Sequence, residues 1–304
     1  MGNNKFINDA KTILWTNKES RKKLEEAGVK ISPCNFYSSI PSITEIENSY
    51  EYADRTIPPY SACGIWGCSA TSLKLLQKLT IFSAEFQPPD DGDEVAPKGF
   101  FWRNSQFSYA DAMSYYAFLR YLKPKRVIEI GSGFSTLVAI DAINRNALGE
   151  IIGIEPYPRK FIEESTAVRL HKMPAQNVTS EWLNDNLSDG DVLFIDSTHT
   201  VKTESDCLHI YLRLLPRVKR NIYIHVHDVF LPFGMPQKWL QDHHIYWTEQ
   251  YILLAFLLDN NKASFLYGSS YHEWANKSAL KEFMHGSAEA GGSSFWFEYC
   301  GAKP

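Results

Sequence analysis

The segment that most constrains the fold is a short apolar run that leads into two closely spaced glycines. Residues 127–136 read VIEIGSGFST, and an apolar, helix-like stretch follows. A strand that enters such a turn and continues into a helix brings backbone close to a ligand, because glycine has no Cβ and can adopt positive φ. The first N–H groups of the helix are also free to bind it. We therefore expect a ligand site at this turn.

Two acidic residues indicate which ligand the turn would bind. A dinucleotide site wants a third glycine, but Thr136 occupies that position. Glu129 precedes the turn, and a carboxylate there would repel phosphate and suit a cationic or hydroxylated ligand. The next apolar run ends in Glu155, and an acidic residue at that place commonly binds ribose hydroxyls. A plain strand–helix turn is the alternative, and the paired carboxylates disfavour it.

Alternating strand and helix patterns predict the fold class from residue 126 onward. Helical spacing of apolar residues is clearest at 203–218, and 247–258 is apolar nearly all round. This alternation predicts an α/β, Rossmann-like, doubly wound and mostly parallel sheet. The seven candidate strands are 126–130, 150–155, 167–171, 191–196, 221–227, 264–267 and 293–299.

The first hundred residues have a different pattern. Residues 5–27 and 71–86 have helical patterns, whereas 40–68 is rich in Ser, Pro, Tyr and Cys, and 87–98 is a proline- and aspartate-rich loop. We predict that residues 1–100 form a mainly helical and irregular extension, a candidate lid, and that residues 101–304 form the α/β domain.

Composition restricts the class of partner. The net charge of −4 gives no basic footprint for nucleic acid, and no apolar stretch has the length of a membrane span. The five cysteines are scattered, and the closest pair, Cys63 and Cys68, lacks a second pair to complete a zinc site. A cytoplasmic protein in a reducing compartment is expected.

Candidate chemistry follows two later strands. Residues 194–200 read FIDSTHT and residues 224–228 read IHVHD. Ligands of an open parallel sheet gather at the carboxyl ends of its strands, so Asp196, His199, His227 and Asp228 should lie near the glycine turn. Such side chains suit a divalent metal, and a histidine also suits general base catalysis. Asp196 could instead be a simple cofactor contact, and His225 is expected to be a buried structural histidine.

These motifs resemble those of class I S-adenosylmethionine-dependent methyltransferases. Residues 129–133 look like their first motif, and Glu155 looks like their acidic ribose-binding residue. The run 195–199 followed by Asp206 and 227–228 is similar to the macrocin and macrolide-sugar O-methyltransferases. The resemblance implies metal ligation by Asp196 and Asp228 and a base at His199. His227 departs from the acidic or small residue usual there.

The predicted site comprises three overlapping sets. Arg103 joins the cofactor set because Arg suits the methionine carboxylate. The predicted catalytic residues are His199, Asp196 and His227, and the predicted metal ligands are Asp196, His227 and Asp228. The predicted cofactor-binding residues are Arg103, Glu129, Gly131, Ser132, Gly133, Ser135, Thr136, Glu155, Pro156 and Asp196.

The sequence thus predicts S-adenosylmethionine-dependent O-methylation of a sugar, glycoconjugate or natural-product hydroxyl, with Mg²⁺ or another divalent metal as a candidate cofactor. The aromatic loops 230–236 and 247–251 are candidate walls of the acceptor pocket. Two alternatives stay open at this point: a nicotinamide-dependent oxidoreductase on the same fold, and a non-catalytic S-adenosylmethionine-binding protein. Assembly into a homo-oligomer is also open.

Overall fold

The computed structural model describes residues 2–54, 56–107, 109–286 and 291–301. Its backbone divides into two compact units, Met1–Ala53 and Asp54–Pro304. The sequence pattern instead suggested a boundary near residue 100. The difference arises because the helix Ser69–Ser83 buries Leu76 and Leu79 in the same apolar cluster as Phe118 and Phe283, which belong to the second unit.

The first unit consists of short helices. The single helix predicted for 5–27 is two helices, because the Asn17 side chain accepts a hydrogen bond from Ser20 N at 2.9 Å and begins the second one. A capping box of Ser42 and Glu45 begins the third helix. The elements are α1 (Gly2–Leu14), α2 (Lys18–Glu26), α3 (Ile43–Glu47) and the 3₁₀ turn Tyr50–Tyr52. The role of residues 1–100 as a lid stays a prediction.

The second unit contains a seven-stranded sheet, which confirms the predicted fold class. Within the described residues the strand order is β3-β2-β1-β4-β5-β7-β6. The first five strands pair in parallel, and β7 runs antiparallel between β5 and β6. Each predicted strand is present with ends shifted by at most two residues. The strands are β1 (Arg126–Ile130), β2 (Glu150–Ile154), β3 (Val168–His171), β4 (Val192–Ile195), β5 (Ile222–Val226), β6 (Ala263–Gly268) and β7 (Phe295–Tyr299).

Helices cover both faces of this sheet. They are α4 (Ser69–Ser83), α5 (Tyr109–Leu122), α6 (Phe134–Asn146), α7 (Lys160–Glu163), α8 (Ser180–Asn186), α9 (Asp206–His209), α10 (Gln237–Asp242), α11 (Glu249–Leu257), α12 (Ser269–Ala275) and α13 (Lys277–Phe283), with 3₁₀ turns at Gly64–Trp66 and Ala175–Asn177. Across the described part of the chain, no helix combines the length and apolarity needed to cross a membrane.

Strand alternation divides the core into two apolar clusters. Val127 packs in one cluster, whereas Ile128 and Ile130 pack in the other. Along β4, Phe194 and Ile195 divide between the clusters in the same way. This is the period of two expected of strands buried on both faces. Because β1, β2, β4 and β5 run parallel, their carboxyl ends meet at one edge of the sheet, and the candidate site lies at this edge.

The helix predicted for 203–218 is a composite. Ser205 begins it by accepting a hydrogen bond from Leu208 N at 3.2 Å, and α9 then passes into a π turn at Ile210–Leu214 and a 3₁₀ turn at Leu215–Arg217. Proline has no N–H to donate, so Pro216 prevents a regular final turn. Tyr211, in the π turn, is fully buried and directs its hydroxyl toward the candidate site.

Candidate active site

The glycine turn lies tightly against two strands. Gly131 has φ +94°, and a Cβ at this position would overlap the carbonyl oxygen of Asp196. Gly131 N donates to Ile154 O at 3.0 Å, and Asp196 N donates to Ile130 O at 2.8 Å. The turn therefore requires glycine for both its conformation and the close approach of the β4 end.

Glu129 supports this turn from the interior. It is fully buried, and its carboxylate accepts hydrogen bonds from Tyr115 Oη at 2.9 Å and Thr136 Oγ1 at 2.6 Å. Thr136 Oγ1 in turn accepts from Gly133 N at 3.0 Å. Burial raises the pKa of Glu129 to about 7, against the opposing effect of the hydroxyl donors. Glu129 and Thr136 thus brace the turn, where the sequence suggested direct contact between Glu129 and the ligand.

A cavity of about 600 Å³ opens in front of the turn. It gathers most of the residues that the sequence singled out. Its lining includes Gln106, Phe107, Gly131, Ser132, Gly133, Ser135, Glu155, Asp196, Ser197, Thr198, His199, His227, Asp228, Trp239 and Trp247. Four of the predicted cofactor residues do not belong to the described lining of this cavity, namely Arg103, Glu129, Thr136 and Pro156.

Glu155 lies at the end of β2 beside the glycine turn. Its carboxylate accepts from Tyr157 N at 2.8 Å and lies 3.5 Å from Ser132 N. The half-buried carboxylate therefore faces the cavity with a fixed orientation. The neighbouring Pro156 is exposed.

Arg103 lies on the surface, away from the cavity lining. Its guanidinium contacts Asp91 at 2.9 Å and Asp90 at 3.3 Å, and its side chain is 60% exposed. These two carboxylates lie in the loop 87–98. They pair with the guanidinium group that was predicted to bind the methionine carboxylate. The structure therefore gives no support to Arg103 as a cofactor residue.

Four side chains meet at the ends of β4 and β5, and we call them the Asp–His cluster: Asp196, His199, His227 and Asp228. His199 Nε2 lies 3.2 Å from Asp196 Oδ1 and 3.4 Å from Asp228 Oδ2. His227 Nδ1 lies 3.3 Å from Asp196 Oδ1 and 3.6 Å from Asp228 Oδ2. Each histidine thus presents one ring nitrogen to the same two aspartates. His199 and Asp228 both have positive φ, at 55° and 57°.

The second ring nitrogen of each histidine contacts another carboxylate. His199 Nδ1 lies 2.7 Å from Glu249 Oε2, and His227 Nε2 lies 3.3 Å from Asp111 Oδ2. Glu249 is 1% exposed and Asp111 is 7% exposed. Tyr211 Oη donates to Glu249 Oε1 at 2.9 Å. Asp111 Oδ1 accepts from Ser293 N and Ser294 N at 2.9 and 2.8 Å.

Backbone contacts fix the loop that carries His199. The His199 carbonyl accepts from Thr248 N at 2.8 Å and Glu249 N at 3.0 Å, at the start of α11. Asp206 accepts from Thr198 N at 2.9 Å and Thr198 Oγ1 at 2.7 Å. Glu249 and Asp206 therefore both hold the segment 198–199 in place.

Charge in the cluster determines how its groups ionise in the absence of a metal. Burial lowers the pKa of His199, but hydrogen bonds to Asp196 and Glu249 prevail and raise it to about 10. Burial also lowers the pKa of His227. The negative charges of Asp228 and Asp196 outweigh this effect, so the pKa of His227 is raised well above its usual value. The histidine charges hold the pKa of Asp196 below its usual range despite burial. In the absence of a metal, these contacts favour the protonated form of His199.

Two aromatic rings close the cavity beside the cluster. The Trp247 ring lies 4.5 Å from the His199 ring, and Trp239 packs edge-on against Trp247 with centroids 5.4 Å apart. Phe230 packs on Trp239 at 5.2 Å. Of the two predicted aromatic loops, 247–251 contributes Trp247 to the cavity lining, whereas Phe230 of the loop 230–236 packs against Trp239 and is not part of the lining. His225 stacks on Trp296 at 4.3 Å and is fully buried, as expected for a structural histidine.

Comparison with known proteins gives a match to one family model and to one curated relative. Residues 128–229 match a family model described as a methyltransferase domain. A protein of Archaeoglobus fulgidus that is described only as uncharacterized is 33% identical over 139 residues, which are 45% of this chain and 63% of that protein. The chain therefore matches less than two thirds of that relative's length.

Comparison with solved structures also gives matches to two O-methyltransferases. TomG from Streptomyces achromogenes, in complex with S-adenosylmethionine, is 13% identical, with 75% of this chain and 90% of that chain covered and a TM-score of 0.40. The Bacillus cereus enzyme in complex with S-adenosylhomocysteine is 14% identical, with 76% and 91% covered and a TM-score of 0.38.

The matched segment begins in β1 and ends just after β5, so it contains the glycine turn, Glu155 and the whole Asp–His cluster. The seven-stranded sheet with helices between its strands is the Rossmann-like α/β fold. Residues 128–229 of this chain, about a third of its length, are therefore similar to a methyltransferase domain.

Proposed function

We propose that this protein transfers the methyl group of S-adenosylmethionine to a hydroxyl group of a small molecule, with a divalent metal at the Asp–His cluster. The observation that carries the proposal is that one cavity is lined by the glycine turn, Glu155 and all four residues of the cluster. A methyl donor bound at the turn and an acceptor oxygen at the cluster would therefore be close together, which is the main requirement of a transfer reaction.

The cofactor part of the proposal rests on charge and shape. The Glu155 carboxylate is suited to two ribose hydroxyls, and the glycines let backbone approach the methionine part. S-adenosylmethionine supplies an electrophilic methyl group on a positively charged sulfur. In the transfer, the acceptor oxygen forms the new bond to carbon, the carbon–sulfur bond breaks with its electrons staying on sulfur, and the hydroxyl proton is released.

The donor atoms of the cluster fit a divalent metal. Ligand atoms of Asp196, His227 and Asp228 all lie within 4.8 Å of one another, and two of these residues are carboxylates that bind cations strongly. A metal held there would lower the pKa of the acceptor hydroxyl.

The acceptor proposed for the cavity is a sugar, glycoconjugate or natural product. Support comes from the Trp239 and Trp247 rings, since indole faces pack well against the apolar face of a sugar ring or a planar ring system. A cytoplasmic location and the lack of a nucleic-acid partner stay predictions from composition.

Calorimetric titration with S-adenosylhomocysteine and with NAD tests the cofactor assignment. We expect saturable binding of S-adenosylhomocysteine and much weaker heats with NAD. Glu155→Ala should weaken S-adenosylhomocysteine binding roughly 10- to 100-fold, because a charge-assisted hydrogen bond contributes about 1.5–3 kcal/mol. Glu164→Ala, an exposed carboxylate outside this cavity, is the matched control and should bind normally. Preferential NAD binding would favour the oxidoreductase alternative.

A further inference from the structure

We propose that the side-chain amide of Gln106 binds the amino-acid end of S-adenosylmethionine and so helps to set the direction of the methyl group. This inference rests on the proposed function, because it concerns the cofactor of that reaction. Its consequence can nevertheless be measured separately, since binding of the amino-acid end requires no methyl transfer.

The Gln106 side chain lies over the glycine turn. A Cβ placed on Gly133 would meet Gln106 Oε1 at 4.0 Å, and Gln106 lines the same cavity as Gly131 and Glu155. Its side chain is exposed. The one hydrogen bond that Gln106 makes with another described residue comes from its backbone N–H, which donates to Asn104 Oδ1 at 3.1 Å. The amide is therefore free to bind a ligand in the cavity.

The backbone that carries Gln106 is held in place from both sides. Asn104 Oδ1 accepts from Gln106 N at 3.1 Å and from Phe107 N at 2.7 Å. The Glu94 carboxylate accepts from Ser105 N at 2.7 Å and from Ser105 Oγ at 2.9 Å. Because these contacts order the backbone before any ligand arrives, binding to the amide costs less conformational entropy than it would on a free loop.

The next residue connects the same segment to the Asp–His cluster. The Phe107 ring is 2% exposed, and its centroid lies 4.8 Å from that of the His227 ring. The segment thus extends from the glycine turn to the cluster. With Glu155 suited to the ribose hydroxyls and Gln106 to the amino-acid end, the cofactor would be held on both sides of its sulfur atom. Such two-point binding restricts the direction of the methyl group, which a transfer reaction requires.

The chemistry of the cavity favours a neutral amide at this place. The amino-acid end of S-adenosylmethionine carries one ammonium and one carboxylate group and is neutral overall. An amide offers an acceptor oxygen for the ammonium and two N–H donors for the carboxylate. The described lining contains no lysine or arginine, and Gln106 supplies its one side-chain amide. A glutamine that is merely solvated at the rim is the competing explanation, and it predicts no effect on binding.

Calorimetric titration of the full-length protein with two ligands tests the inference. S-adenosylhomocysteine has the amino-acid end, whereas 5′-methylthioadenosine has the nucleoside and the sulfur without it. Gln106→Met keeps the length of the side chain and removes the amide. We expect it to weaken S-adenosylhomocysteine binding about 10-fold and to leave 5′-methylthioadenosine binding within about twofold of wild type. Gln87→Met, at an exposed glutamine outside this cavity, is the matched control and should change neither affinity.

Three results would overturn the inference while the wild-type protein binds S-adenosylhomocysteine. They are unchanged S-adenosylhomocysteine binding by Gln106→Met, equal losses for the two ligands, and equal wild-type affinity for both. A wild-type protein that binds neither ligand would overturn the cofactor assignment and this inference together. The expected binding pattern in a protein that transfers no methyl group would support this inference and contradict the proposed function alone.

Discussion

Asp196→Asn is expected to lower kcat/KM for methyl transfer on the order of 10³-fold, equivalent to about 4 kcal/mol of transition-state stabilisation. Asp196 Oδ1 is the oxygen that both His199 Nε2 and His227 Nδ1 contact, at 3.2 and 3.3 Å. Loss of its charge removes a proposed metal ligand and leaves two buried histidines with one carboxylate fewer. Steady-state kinetics and calorimetry on the same preparations provide the measurement.

The two readouts distinguish catalysis from cofactor binding in this variant. S-adenosylhomocysteine affinity should fall by no more than about tenfold, because Glu155 and the glycine turn are unchanged. Asp185→Asn, an exposed aspartate on α8, is the matched control and should retain wild-type turnover. If Asp196→Asn folds and turns over like the control, the Asp–His cluster has no part in the reaction.

Gly131→Ala is expected to destabilise the protein by roughly 2–5 kcal/mol and to abolish cofactor binding. The new Cβ would overlap the carbonyl oxygen of Asp196, and φ of +94° is strained for alanine. The ends of β1 and β4 would have to move apart to make room for the methyl group. This movement would disrupt the glycine turn and displace Asp196 at the same time. Urea unfolding gives the change in the free energy of unfolding.

Gly133→Ala is the control for the turn. Its Cβ would meet only Gln106 Oε1, at 4.0 Å, and its φ of −169° is extended backbone. We expect a loss of about 1 kcal/mol or less. Equal destabilisation by the two substitutions would show that the close contact between Gly131 and Asp196 does not determine the turn.

The sequence predicted those features of the fold that depend on residues close together along the chain. Each of the seven strands has its own apolar run, and parallel topology brings the ends of β4 and β5 together, so the Asp–His cluster could be predicted without coordinates. The resemblance to methyltransferases followed from the glycine turn and Glu155. The roles of the individual site residues stay predictions.

Long-range partners could not be predicted in the same way. His199 and Glu249 are far apart in sequence, as are His227 and Asp111, and their contacts depend on how α11 and α5 pack on the sheet. A buried acid at the start of an apolar helix was the only local signal for Glu249. The pairing of Arg103 with Asp90 and Asp91 could not be predicted either, because nothing in its own segment indicates it.

Strand periodicity predicts only part of the surroundings of Glu129. Residues 127 and 129 of a strand share a face. That this face is the one covered by α5 follows from the packing of Val127 in the same cluster as Tyr115, which the local sequence does not show.

Transfer of an isotope-labelled methyl group from S-adenosylmethionine tests the central claim most directly. The wild-type protein, loaded with Zn²⁺ or Mn²⁺, is incubated with a panel of sugar and natural-product alcohols, and products are analysed by mass spectrometry with and without a chelator. We predict label in a methyl ether, formed only in the metal-loaded protein. Label found on nitrogen, transfer that is unchanged by the chelator, or no labelled product across the panel would contradict the account.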